Sequence, residues 1–528
     1  MSEEKKLLFK HDEQWDADKL HLIWGEIEEI AKELEISYYP PQFEVISAEQ
    51  MIDAYTSVAM PVMYRHWSFG KAFIQQNHDY QEGRMGLAYE VVINSNPAIA
   101  YLMESNSITM MALVMAHASV GHSAVFKNNY LFKLWTDADG IIDYLVYAKN
   151  YIKKCEERYG DEAVERVLDA AHSIQQYGVD KYKRKTRNKT SAKKMQREID
   201  RHQQKIDDYD DLWEKTVPKM STDDRVDDDH VGQLEEPEEN LLYFIEKNAP
   251  TLPTWKREII RIVRRLATYW YPQSLTQVVN EGYATFTHHY IMNRLYERGL
   301  IDEGSFIEFI ANHTGVITQH DYDSKYYSGF NVYTVGFNIF RDLKRMCEHP
   351  TDEDREWFPD IVGKRWQDVI NNAMKNYNNE TFINQFLSPK VMRDMKLFAV
   401  LDSYREKDYV VSGIHDEQGY RTVREIFARQ YNRSRHVPDI AVIAADMNGS
   451  RELVLFHNDI NDVPLDERSA TQVLQYVAEL WEYDVRLETI SLSSRGAANK
   501  DILVKGPNSE VSKLRVSPRD PYFSPETD

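Results

Sequence analysis

The chain has 528 residues, 42% of them hydrophobic, enough to bury more than one core and to form two to four compact units. Its formal charge of −21 argues against general affinity for nucleic acid or an anionic membrane surface, since both repel it at long range. Two cysteines, Cys155 and Cys347, lie far apart without CxxC spacing and exclude a disulfide framework and a thiolate zinc site, which points to a reducing cytoplasm.

The N-terminal residues lack the apolar core of a secretory signal, and no window is expected to supply the roughly 18 to 20 apolar residues of a membrane span. Residues from Trp15 to Leu34 predict an amphipathic helix, with Leu20, Ile23, Trp24, Ile27, Ile30, Ala31 and Leu34 at three-to-four spacing. Tyr39-Pro40-Pro41 ends it, because proline removes a donor and biases its predecessor away from helix. From there to about Tyr177 the pattern is mostly helical and aromatic-rich, interrupted at Pro61, at Trp67-Ser68-Phe69-Gly70 and at Asn94-Ser95-Asn96-Pro97.

Between 180 and 239 the composition changes abruptly. Lys181 to Arg197 holds nine Lys or Arg and no acid, whereas Asp223 to Glu239 holds nine Asp or Glu against Arg225 alone. Such a segment buries too little apolar surface to offset chain entropy, and predicts a charged, partly helical insertion. Helical periodicity returns from 240 to 394, with Pro272 expected to close the helix that begins near Trp255 and a further helix carrying Glu281 and His288. From 395 to 528 strand patterns at Phe398–Leu401, Tyr409–Ser412, Asp439–Ile443 and Glu452–Phe456 alternate with helices at Val423–Tyr431 and Ala470–Trp481. The expected architecture is a mainly α protein, divided as 1–179, 180–239, 240–394 and a small C-terminal α+β domain over 395–528.

Two polar islands stand out in the helical part. One is His117-Ala118-Ser119-Val120-Gly121-His122 inside an apolar stretch; the other runs from Asn280-Glu281-Gly282 through Ala284 to His288-His289. A zinc site for amide hydrolysis commonly takes three His or Glu ligands, with a carboxylate nearby to accept a proton. His117 and His122 are five apart, which on a regular helix sets them about 140° from each other, so a shared face requires a one-residue π-bulge. Glu281 and His288 are seven apart and share a face, with Ala284 between them keeping it shallow. The metal-centre reading makes His117, His122 and Glu281 ligands of zinc, with His288 as a fourth ligand or a transition-state donor. The competing reading is three buried helix histidines satisfied by hydrogen bonds and an ion-paired glutamate. Lys127, Asn128 and Tyr327 are candidates for holding an anionic or peptide-like ligand. His172 and His313 have no spacing to recommend them. No P-loop, dinucleotide fingerprint, serine elbow, kinase signature or internal repeat is present.

The residues His66-Trp67-Ser68-Phe69-Gly70-Lys71, Gly86 to Glu90, Asn94 to Pro97, Ala116-His117 through Gly121-His122, Asn240 to Glu246, Asn280-Glu281-Gly282 and Trp357-Phe358-Pro359-Asp360 resemble the SpoVR family, in the form found in non-sporulating Gram-negative bacteria. Tyr283 departs from it where the family usually shows Trp. The resemblance implies a cytoplasmic bacterial protein linked to spore-cortex formation or stress, encoded beside a PrkA-type serine kinase and a von Willebrand-like protein. It also implies a comparison with helical zinc peptidases: Gly121-His122 resembles the end of HExGH, and Glu281-Gly282 with Ala284 resembles their downstream glutamate helix. That comparison makes the helical domain zincin-like and its substrate a peptide or cell-wall-derived amide. The glutamate that should follow the first histidine is absent, because position 118 is Ala. Either Glu90 or Glu281 then serves as base, or the scaffold has lost the reaction, leaving a non-catalytic partner of the kinase.

Overall fold

The computed structural model describes residues 7–57, 60, 62–82, 89–181, 233–322, 324–397, 399–401, 410–412, 416–432, 437–458, 465–493, 496–504 and 512–517. The charged insertion expected over 180–239 therefore lies largely outside the described residues. The fold is mainly helical with a small C-terminal sheet region, and the chain forms two compact units. The first joins Met1–Asn150 to Tyr269–Arg433, and the second joins Tyr151–Thr268 to Ser434–Asp528.

In the first unit, helix α1 (Ala17–Ala31) starts where the Asp16 side chain accepts from the Lys19 amide and buries the apolar stripe read from its spacing. The following stretch is mostly helical, as expected, and also holds three short strands that the sequence pattern did not show. Strands β1 (Pro41–Ile46), β2 (Glu90–Ile93) and β3 (Ala98–Met103) form a sheet in the order β1-β3-β2, with β1 parallel and β2 antiparallel to β3. The run Ala98–Met103 is apolar almost throughout, so it shows no two-residue alternation to mark it as a strand.

Helix α2 (Ile108–Asn128) follows, and it corrects an expectation, for it is long and apolar enough to cross a membrane. It is buried inside the unit, among α1, the sheet and the helices after Tyr269. Its middle, Ala116–His122, is π-helical, flanked by regular turns on both sides. Helix α3 (Thr254–Glu297) runs straight through Pro272, which was expected to end it. Proline deletes one hydrogen bond and crowds the preceding turn, but the residues from Val278 onward are held by burial. The Asn379 side chain also accepts from the amides of Val278 and Val279, at 2.8 and 3.4 Å. Helices α4 (Glu303–Val316) and α5 (Val332–Glu348) complete the surroundings of the site.

Close approach of these helices depends on residues without side chains. A Cβ on Gly121 would lie 2.5 Å from the Cα of Ala284, joining α2 to α3, and one on Gly282 would lie 2.4 Å from the Cα of Gly336, joining α3 to α5. Backbones can meet at this range only where no Cβ intervenes.

The second unit is built on a six-stranded sheet. In order it runs β9 (Ser512–Ser517), β8 (Gly496–Val504), β7 (Val485–Ser493), β6 (Leu453–Asn458), β5 (Asp439–Ala445) and β4 (Gln233–Glu238). Only β6 and β7 pair in parallel, and the helix Glu467–Trp481 makes their crossover. That helix buries Leu474, Val477, Ala478 and Trp481, and packs on Asp161–Ser173, which buries Val164, Val167 and Leu168. Edge strand β4 comes from the acidic run and contains Pro237, a residue tolerated only where one side of a strand needs no partner.

Candidate metal centre

The π-helical turn settles the spacing question. Five residues of regular helix would point His117 and His122 apart; the wider turn returns both rings to one face, with centroids 4.6 Å apart. Both are buried, at 5% and 8% exposure. The contact of Gly121 with Ala284 brings Glu281, one turn earlier on α3, opposite the two rings. His117 Nε2 lies 3.8 Å from Glu281 Oε2, and His122 Nε2 lies 3.5 Å from the same oxygen. One nitrogen from each imidazole and one carboxylate oxygen fall within 4.8 Å of one another.

Neighbouring groups orient the three. Asn280 Oδ1 accepts from His122 Nδ1 at 3.0 Å, which puts the proton on Nδ1 and leaves a lone pair on Nε2. Tyr333 on α5 hydrogen-bonds the Glu281 carboxylate and stacks on the His117 ring at 6.5 Å. Even so, Glu281 Oε2 is buried without any hydrogen-bond partner. A buried carboxylate oxygen facing an imidazole lone pair at 3.5 Å is repulsive unless a positive charge lies between them.

Burial and the facing charges shift every group of the cluster. Burial pushes the Glu281 carboxyl up, but His122, His117 and Tyr333 outweigh it and hold it below the usual range. Burial lowers His122, and its net shift is down. Burial also opposes charge on His117, yet Glu281 and Glu90 prevail and its pKa is raised. Glu90, at the start of β2, places Oε1 3.8 Å from His117 Nε2; burial first, and then Glu281, push its carboxyl up to about 6 against the pull of His117. Burial and the two carboxylates push the Tyr333 phenol well above its ordinary value.

Two nitrogens and one carboxylate oxygen match the donor set of a three-ligand divalent site, and the orphaned oxygen supplies the vacancy in charge. Tetrahedral bonds of about 2 Å separate ligand atoms by roughly 3.3 Å, so small side-chain rotations close the observed gaps. Glu90 and Glu281 keep 17% and 18% of their side-chain surface exposed.

The other residues singled out from sequence fall elsewhere. His288 stands behind His117, its Nδ1 2.9 Å from His117 Nδ1 and its Nε2 2.9 Å from His313 Nδ1, so both nitrogens are engaged away from the pocket. Lys127 Nζ donates to the Tyr38 carbonyl, and the Asn128 amide donates to the carbonyls of Ser37 and Ala124. Both tie α2 to the segment after α1. Tyr327 packs against Tyr322 and Phe330. Tyr333 and Asn280 were not singled out for these roles: an asparagine beside a glutamate and a tyrosine among many aromatics carry no distinguishing spacing.

The SpoVR like protein family model matches residues 14–436, and the SpoVR-like C-terminal domain model matches residues 438–491. A relative in Escherichia coli (strain K12), uncharacterized protein YcgB, is 50% identical over 474 residues, covering 90% of this chain and 92% of its own. No solved structure matches the chain.

Proposed function

The chain belongs to the SpoVR family, and from this premise we propose that it is a metal-dependent hydrolase with a zincin-like helical domain, acting on a peptide or other amide bond in cell-wall or stress-related metabolism. His117, His122 and Glu281 would hold one divalent cation, zinc by the donor set. The observation that carries the reading is the partnerless Glu281 Oε2 set against the His122 Nε2 lone pair.

A bound cation supplies Lewis acidity that polarises a carbonyl and acidifies water. The chain's own groups do the rest. Asn280 holds His122 in the tautomer that presents Nε2, and Tyr333 anchors the far side of the Glu281 carboxylate. Glu90 is the base: its carboxyl, raised to about 6, is ionised at neutral pH yet basic enough to accept a proton during attack on a carbonyl. It occupies, from a strand, the role that alanine at position 118 cannot fill on the helix.

That alanine also favours a second reading, in which the cation is structural and the chain is a non-catalytic partner of a PrkA-type serine kinase and a von Willebrand-like protein. Elemental analysis of the purified full chain tests the centre. About one zinc per chain is expected, lost in the His117→Ala/His122→Ala variant; a folded wild-type chain that takes up no divalent metal overturns the proposal. Cleavage of a mixed peptide and muropeptide library separates the two readings. Turnover by the wild type that Glu90→Gln abolishes while keeping its zinc supports the hydrolase, and zinc without turnover supports the second reading.

A further inference from the structure

Three buried imidazoles stand in line behind the centre. They come from three elements, His117 from α2, His288 from α3 and His313 from α4, with exposures of 5%, 1% and 4%. Each contact, His117 Nδ1 to His288 Nδ1 and His288 Nε2 to His313 Nδ1, measures 2.9 Å. A neutral imidazole has one donor and one acceptor nitrogen, so in every such contact one ring must give the proton and the other receive it.

This makes the chain directional. If His117 presents the lone pair of Nε2 to a cation, its proton sits on Nδ1 and donates to His288 Nδ1. His288 then carries its proton on Nε2 and donates to His313 Nδ1, which leaves the proton of His313 on Nε2. One condition at the pocket fixes all three tautomers, and the reverse order would place a proton on His117 Nε2, where the cation must bind.

We infer that His288 and His313 are positioning residues for the ligand His117, a two-ring outer shell that holds its orientation and its tautomer so that Nε2 faces the cation. The inference rests on the reading of His117 as a ligand. Both rings are buried, at 1% and 4% exposure, where the neutral form is favoured and each ring can act as donor at one nitrogen and acceptor at the other. Histidine ligands usually rest their second nitrogen on a carboxylate or a carbonyl. The Ala284 carbonyl also accepts from the His117 ring, and the His288 ring beside it is uncharged, so direction is set without adding negative charge to a pocket that already holds two carboxylates.

The test is zinc affinity of the full chain, by competition with a chromophoric chelator, together with the visible absorption of the cobalt(II)-loaded protein. His288→Leu removes both contacts and is expected to bind zinc ~10- to 100-fold more weakly, the range seen when an outer-shell partner is lost, and to change the cobalt spectrum. His288→Asn keeps an acceptor at the position of Nδ1 and is expected to recover most of the affinity, which a purely packing role would not produce. If wild type binds zinc and His288→Leu binds it equally well, or if the Asn variant is as weak as the Leu variant while folded, the inference is overturned and the centre stands. If wild type binds no zinc, the centre itself falls, and the inference with it. Should His288→Leu fail to fold, His313→Leu decides, because it removes the far end of the line without touching a ligand; unchanged affinity there overturns the inference.

Discussion

Burial holds His289 down at about 4, with Arg341 adding to the effect, and holds His313 at about 3, with His289 and Arg341 adding to it. In the unfolded chain both regain a value near 6.5. Below that pH the unfolded state binds more protons than the folded one, so stability is greatest above 6.5 and is lost as pH falls toward about 4 and then 3. Urea midpoints of the metal-free protein should therefore begin to drop below pH 6.5, and His313→Gln should flatten that limb; a profile flat down to pH 5 counts against it. At this scale the grouping of His117, His122 and Glu281 was legible, because imidazoles and a carboxylate inside apolar helices are costly and conspicuous. The supporting residues were not. Lys127 and Asn128 looked like a ligand grip, but their donors are satisfied by backbone carbonyls at 37 and 38, and nothing in a linear pattern marks which carbonyls will be near.

The helix contacts are the most sensitive elements. At Gly336 a Cβ would lie 2.3 Å from the carbonyl oxygen of Val278 and 2.6 Å from the Cα of Gly282, and both are backbone atoms that cannot swing aside. Gly336→Ala should cost about 1–3 kcal/mol or more by overpacking, whereas Gly25→Ala on α1, with nothing within 4 Å of the new atom, should stabilise by roughly 0.5–1 kcal/mol. Equilibrium denaturation of the pair checks this, and equal effects would refute the close-crossing argument. The long amphipathic helices were legible from their period, as α1 illustrates. The bulge in α2 was legible only as a condition, since two histidines five apart can share a face in no regular turn. Strands β1 and β2 were hidden because they are short and β3 because it is buried nearly throughout, and the continuity of α3 was hidden because the Asn379 side chain that supports it lies far along the chain.

Each compact unit is assembled from two distant stretches of chain, which no composition shift announces. The break between the two family matches, near residue 437, suggests a point at which to cut. Cutting there strips the helix Glu467–Trp481 from Asp161–Ser173 and uncovers Val164, Val167 and Leu168, so a 1–433 fragment should bind a hydrophobic dye strongly and associate on gel filtration. A monodisperse fragment with no added dye binding would contradict the interleaved assembly. The same interleaving governs the order of events on the ribosome. His117 and His122 leave the exit tunnel early, but Glu281 is not yet synthesised, and at ~5–20 residues per second it follows on the order of ten seconds later. The nascent chain thus spends that interval with two unpartnered imidazoles in its most apolar helix, and the pocket is completed only as a late step of maturation.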